Sequence, residues 1–127
     1  MKKLIAAALA ISMTLLCCAC GKKTDTSDLN YIQKKGTLVV GITDYEPMDY
    51  QDENGDWTGF DAEFARAVAE KLGVEAQFVE IDWDNKFFEL ESKAIDCIWN
   101  GMTITDEVKL NASVSNAYVT NAQTMVT

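Results

Sequence analysis

The chain has 127 residues, with 11 Lys and Arg against 20 Asp and Glu, no histidine and a formal charge of −9, which bounds it to one modest domain. An acidic surface repels nucleic acid, whose binding needs clustered Lys and Arg, and the lack of histidine removes the commonest general base and the commonest metal ligand together. No metal site is expected, because the acids are scattered through loops without any Cys/His spacing, and nothing in the sequence requires a cofactor.

Residues 1–19 open with Met1-Lys2-Lys3, continue as an apolar run from Leu4 to Leu16 and close on Cys17-Cys18-Ala19, ahead of Cys20-Gly21. A short positive start, an apolar stretch of about a dozen residues and small residues at its end make a secretory signal. The run is too short for a membrane span of roughly 20 residues. A cysteine after small residues at the end of such a signal resembles the lipobox of bacterial lipoproteins, in which the cysteine receives a diacylglyceryl group and becomes the first mature residue. Cys20, between Ala19 and Gly21, is the expected lipidation site. Cys18 competes, since it has Leu15 three residues before it, whereas Cys17 stands where Cys20 would usually have Leu. The resemblance implies an exported protein, anchored through lipid on the extracytoplasmic face of the cell membrane, with more than one acyl chain for stable anchoring. Cleavage before Cys20 leaves 108 residues and one other cysteine, Cys97, so no internal disulfide framework is expected. Without Lys2 and Lys3 the positive residues fall from 11 to 9 against 20 acids, a formal charge of about −11.

Residues 21–27 are polar and read as a tether. A helical turn over Leu29 to Lys35, closed by Gly36, follows. Thr37-Leu38-Val39-Val40-Gly41-Ile42 is a β-branched apolar run, expected as a strand buried on both faces. Asn54-Gly55 suits a tight hairpin turn, with Trp57 and Thr58 on the returning arm. Gly59 opens a helix in which Phe64, Val68 and Leu72 recur at four-residue spacing beside Ala65 and Ala69, with Asp61 as the expected N-cap and Gly73 as a left-handed C-cap. Val74 to Ile81 alternates as a second strand, Asp84 is expected to cap another helix through Phe87, Phe88 and Leu90, and Cys97 to Asn100 is a third strand, which makes Cys97 a buried thiol. Strand–helix–strand–helix–strand implies an open, mainly parallel α/β sheet flanked by helices. In such sheets the ligand crevice lies beyond the carboxyl ends of the strands, which selects the loops Thr43 to Pro47, Asp82 to Asp84 and Gly101 to Asp106.

Three ordered motifs carry a family resemblance. Gly59-Phe60-Asp61-Ala62-Glu63-Phe64, followed by Val68-Ala69 and Leu72, resembles the signature of the family 3 bacterial extracellular solute-binding proteins, the amino-acid-binding components of ABC importers. Asp96-Cys97-Ile98-Trp99-Asn100-Gly101-Met102-Thr103-Ile104-Thr105-Asp106-Glu107 is similar to that family's second ligand segment, and Gly41-Ile42-Thr43-Asp44-Tyr45-Glu46-Pro47 to its first loop. The resemblance covers residues 36–127 and implies the periplasmic-binding-protein-like type II fold, first lobe only, preceded by a lipoprotein signal peptide. Its division of the chain is residues 1–19 signal, 20–35 lipidated cysteine, tether and helical turn, and 36–127 an incomplete solute-binding domain without its second lobe. The final run Gln123-Thr124-Met125-Val126-Thr127 matches the strand that leads to the hinge.

The same resemblance implies a non-enzymatic receptor that captures a small polar ligand, an amino acid above all, and delivers it to ABC permease subunits. Tyr45 and Trp83 match aromatics that lie over the ligand, where a ring face attracts an ammonium group by about 0.5–2 kcal/mol. Asn100, Gly101 and Thr103 match a carbonyl, a backbone N–H and a hydroxyl that bind ammonium and carboxylate. Asp44 could add a rim contact, although an Asp side chain more readily caps or braces its own loop. Trp57, Trp99 and Phe60 read as packing. One departure concerns the carboxylate: the family's amino-acid binders usually place an arginine fork after Thr-x-Glu, and here Val108 stands there. Lys109, about 100° further round a helical turn, does not replace it. Alternatives on the same fold are a dehydratase-like enzyme and an extracytoplasmic sensor module, beside a lipoprotein that binds nothing. Contacts from one lobe alone are expected to hold a ligand weakly, because closure assembles the rest.

Overall fold

A computed structural model describes residues 27–120, 122 and 124–126 of the chain. The signal segment and both lipidation candidates, Cys18 and Cys20, lie outside the described residues. Among the described residues no helix is long and apolar enough to cross a membrane.

The first helix, α1 (Asp28–Lys35), is capped by Ser27, whose hydroxyl accepts from the Asn30 amide, and ends on Gly36 at φ 79°, as the glycine predicts. Strand β1 (Thr37–Ile42) follows, with Leu38, Val40 and Ile42 buried. A short hairpin pairs β2 (Tyr50–Gln51) antiparallel with β3 (Trp57–Thr58), and the Asp52 carboxylate closes its turn by accepting from the amides of Asn54 and Asp56 at 2.8 and 2.9 Å.

Helix α2 runs from Phe60 to Leu72 and ends on Gly73 at φ 76°. Its N-cap is Gly59, at φ 109°, and not Asp61. A side chain at Gly59 would collide with the Met48 carbonyl, and this close approach lets main-chain carbonyls take the capping role: Phe60 N donates to Pro47 O at 3.4 Å and Asp61 N to Met48 O at 2.9 Å. With its capping duty done by backbone, Asp61 turns inward and is fully buried. The stripe that seats α2 on the sheet is also not the large-residue one. Ala62, Ala65 and Ala69 are buried, whereas Phe64 is exposed and Val68 and Leu72 only half-buried. Methyl side chains bring the helix close to β1, and Leu38, Val40, Ala65 and Ala69 form one core with Ile32, Val74, Ala76, Phe78, Cys97 and Trp99 packed around it.

Strand β4 (Glu75–Glu80) alternates half-buried Ala76 and Phe78 with exposed Glu75 and Gln77, matching the predicted alternation. It pairs parallel with β1 from Thr37↔Glu75 to Ile42↔Glu80. After it, Asp82 rather than Asp84 is the cap: its carboxylate accepts from the Asp84 amide at 3.0 Å and from Asn85 Nδ2 at 2.8 Å, starting a single 3-10 turn (Trp83–Asn85) that passes into α3 (Lys86–Glu91). The two-residue spacing from Asp82 to the amide it takes is that of an Asx turn. Strand β5 is only Cys97–Ile98, paired parallel with β1 at Val40↔Cys97 and Gly41↔Ile98. Burial, and then the neighbouring Asp96, pushes the Cys97 thiol up to about 12, so it stays protonated and unreactive at neutral pH.

The sheet order is β4-β1-β5, all parallel, the open parallel sheet that the alternation of strands and helices predicts. Helix α4 (Asp106–Asn111) follows, capped by the Thr105 hydroxyl at 3.2 Å from Val108 N. Beyond it the described residues form no strand, including 124–126 of the final run.

Candidate functional site

Three parallel strands put their carboxyl ends, Ile42, Glu80 and Ile98, on one edge of the sheet. The loops after β1 and β5 are joined there by side-chain bonds. Asn100 Oδ1 accepts from the Thr43 amide at 3.1 Å, and Asn100 Nδ2 donates to Thr43 Oγ1 at 2.6 Å. The side chain of Asn100 therefore braces the two loops, and only its backbone is left for the role the sequence suggests.

Gly101, at φ 60°, sits beside Tyr45 and Asp61: a methyl group on it would lie 3.7 Å from Tyr45 Cε1 and 3.7 Å from Asp61 Oδ2. Tyr45, half-exposed, is held by a two-way backbone bridge to Asp49, with Tyr45 N donating to Asp49 O at 2.6 Å and Asp49 N to Tyr45 O at 3.0 Å. Tyr45, Asn100 and Gly101 thus form one continuous patch. Asp44 and Thr103 are exposed on the same two loops, and neither makes a hydrogen bond or ion pair with the described residues, so Asp44 does not brace its loop.

Trp83 follows β4, on the opposite flank of β1 from β5. Its ring already carries a cation. Lys86 Nζ stands 4.5 Å from the ring centroid and donates to the Trp83 carbonyl at 3.0 Å. One face of the indole is therefore occupied by the protein's own ammonium group.

At the position of the usual arginine, Val108 is buried in α4 at 7% exposure. Lys109 points away and lies 3.6 Å from Asp106, both exposed. No cation replaces the missing guanidinium on this helix.

A group that the sequence reading missed lies directly beneath the patch. Asp49 and Asp61 are both 0% exposed, and both oxygens of Asp49 and Oδ2 of Asp61 have no hydrogen-bond partner among the described residues. Asp61 Oδ1 accepts from the Tyr118 hydroxyl at 2.9 Å. Burial first, and then the charge of Asp61, pushes the Asp49 carboxyl up to about 7; the Ala62 amide at the start of α2 faces it and opposes the shift without reaching full hydrogen-bond geometry. Burial and the bond to Asp61 likewise raise the Tyr118 phenol above its ordinary value. Asp61 lies in a recognised motif, yet its capping pattern disguised it. Tyr118 lies in a segment without periodicity and left no signal.

A hollow of about 750 Å³ is lined by Tyr50, Thr58, Gly59, Phe60, Glu63, Phe64 and Tyr118 and contains none of the residues that the sequence selects for ligand contact. It is the open side of an aromatic cluster in which Phe64 meets Trp99 and Tyr118 edge-on at 5.2 and 5.4 Å. Glu63 is its one charged wall. The strand edge, where backbone and polar side chains converge, is the better place for a polar ligand. Among the described residues no group of three or more Cys, Asp or Glu is placed to hold a metal ion.

Known proteins resemble the chain closely. The L-cystine-binding protein TcyJ of Escherichia coli K12 is 41% identical over 95 residues, covering 74% of this chain and 36% of that protein. The arginine-binding extracellular protein ArtP of Bacillus subtilis is 34% identical over 121 residues, covering 94% and 46%. The chain thus spans less than half the length of these relatives. Among solved structures, a variant of domain 1 of TmArgBP in its arginine-bound form matches with TM-score 0.68 at 40% identity, covering 72% of this chain and 71% of that one. A substrate-binding protein of an ABC uptake transporter from Streptococcus pneumoniae, with bound histidine, matches with TM-score 0.70 at 35% identity, covering 75% and 39%. The family model for bacterial extracellular solute-binding proteins, family 3, matches residues 38–127. On that match, and on the parallel sheet whose carboxyl edge carries the stitched loops, the chain belongs to the bacterial extracellular solute-binding proteins, family 3.

Proposed function

We propose that this chain is the ligand-capturing first lobe of the substrate-binding component of an ABC importer, that it is exported, and that it is held on the outer face of the cell membrane through an acylated Cys20, with Cys18 as the alternative. Residues 1–19 are then its signal, 20–35 its tether and first helix, and 36–127 the lobe itself. Its ligand is an amino acid or a similar small polar solute, bound at the edge formed by Tyr45, Gly101, Thr103, Asp44 and the backbone of Asn100, with Trp83 on the far flank. The observation that carries this reading is the stitched pair of loops at the carboxyl ends of β1 and β5, which presents an aromatic ring and open backbone together. The relatives' names, an L-cystine-binding and an arginine-binding protein, support the ligand class.

The buried Val108 shapes the ligand grip. Without a guanidinium fork the carboxylate of an amino acid falls to backbone N–H groups of the third loop and to partners outside this lobe. Titration of the whole chain with L-arginine and L-cystine, followed by amide chemical shifts, tests the reading: shifts should cluster at residues 43–49 and 99–105, and Tyr45→Ala should weaken them severalfold. Shifts confined to the Phe60–Tyr118 hollow would move the site elsewhere.

A second reading, an enzyme of the dehydratase type, rests on two points: burial pushes the Asp49 carboxyl up to about 7, and a Pseudomonas aeruginosa cyclohexadienyl dehydratase is 29% identical over 119 residues. A general acid must reach its substrate, however, and Asp49 is wholly enclosed. An elimination assay that registered turnover lost in Asp49→Asn would reverse this ranking.

A further inference from the structure

The site holds Tyr45 at its rim through Asp49, and Asp49 is an acid enclosed beside another acid with nothing to bond. We propose that Asp49 is a positioning residue, enclosed against Asp61 and bridged to Tyr45, whose carboxyl must carry a proton for the turn holding Tyr45 to stay closed, and that losing this proton releases that turn and weakens ligand capture. The inference rests on the solute-binding reading above and adds to it a pH dependence with a named source.

The geometry carries the argument. Asp49 and Asp61 are both fully enclosed, and three of their four oxygens find no partner. Their backbones are neighbours, since Asp61 N donates to the carbonyl of Met48, the residue before Asp49. The titratable groups that face Asp49 are Asp61 from α2 and Tyr118 from the segment after α4. Tyr118 gives its hydroxyl to Asp61 Oδ1, so it supports the charge on Asp61 and leaves Asp49 as the member that must stay neutral. Among the described residues no lysine or arginine acts on Asp49, and the Ala62 amide alone favours its charged form. Two like charges in one dry site are strongly unfavourable, and one of the pair keeps a proton.

Proton loss has one cheap escape, which is to swing Asp49 into water. The consequence is local, because Asp49 gives both its N–H and its carbonyl to Tyr45. The bridge that fixes Tyr45 beside Gly101 would open with it. Asp49 touches no ligand in this account and acts through Tyr45.

Two measurements on the whole chain test the proposal. In the first, carboxyl-carbon NMR follows every Asp through a pH titration. One Asp carboxyl should titrate near neutrality, and its signal should be missing in Asp49→Asn. If every Asp carboxyl titrates in the ordinary acidic range, the proposal is overturned while the solute-binding reading stands. In the second, L-arginine and L-cystine are titrated at pH 6 and pH 8. For a binding form that needs the proton, the dissociation constant should rise about tenfold between these values. Asp49→Asn, which cannot ionise, should bind at both pH values as the wild type does at pH 6. An equal pH dependence in wild type and Asp49→Asn overturns the positioning role. A near-neutral Asp titration with neither solute bound at any pH refutes the solute-binding reading, and the positioning role falls with it.

Discussion

At the scale of single residues, Asp49 links the fold to pH. Its carboxyl moves from 3.8 to about 7 on folding, so between those values the folded chain holds a proton that the unfolded chain has released. Stability from this group is greatest below pH 3.8, declines as pH rises towards 7 and is level above it. Asp49→Asn removes the ionisation, so urea denaturation at pH 5 and pH 8 should show a loss of stability with rising pH in the wild type and a smaller one in the variant. Equal losses would assign the slope to other groups. Gly101 presents a different constraint. A methyl group there would meet Tyr45 and Asp61 only at ordinary contact distance, 3.7 Å, but φ 60° is a conformation L side chains rarely adopt. The cost of Gly101→Ala is therefore backbone strain, about 1–2 kcal/mol, measurable as a lower urea midpoint with an unchanged slope.

At the scale of elements, the short β5 is held by a side chain as much as by its ladder. Asp96, its side chain only 4% exposed, takes the Val39 amide at 2.7 Å and Lys35 Nζ at 2.5 Å, tying α1, β1 and the start of β5 together. Asp96→Ala leaves a buried amide unpaired and should cost about 2–3 kcal/mol. Lys35→Met keeps the Val39 bond and removes a partly exposed partner, so it should cost less than about 1 kcal/mol. Comparable losses from both would mean that the ion pair, not the amide bond, secures the strand. Much of this level was legible in the chain. The apolar run at 37–42, the alternation at 74–81 and the glycines at 36 and 73 mark boundaries that the structure keeps within a residue, because each reflects local burial or a local backbone need. The helix caps were harder. Asp61 and Asp84 both look like caps by residue type, but the acceptors came from Pro47 and Met48 carbonyls and from Asp82, and only the path of the preceding loop decides which group is in reach.

At the scale of the whole molecule, the proposed ligand edge is open to solvent among the described residues. On the proposed reading, solvent competes for every contact at such an edge, so binding by this chain should be no tighter than about millimolar, near −4 kcal/mol. Amide-shift titration with L-arginine measures it, and a micromolar constant would show that one lobe suffices. The exposed Phe60, Phe64 and Tyr118 pack ring against ring away from the proposed ligand edge.

The sequence by itself determined the class of fold and the edge at which to look, because strand order and motif spacing are written in hydrophobic period and in glycine positions, which act over a few residues. It also singled out Tyr45, Asn100 and Gly101, which the structure gathers into one patch. The tertiary structure alone decided that Asn100 spends its side chain on Thr43, that Lys86 covers one face of Trp83, and that Asp49 and Asp61 meet out of reach of water. Each of these depends on which groups, distant along the chain, are packed against one another, and burial beside a second charge changes what a carboxyl can do in a way its own neighbours in sequence do not record.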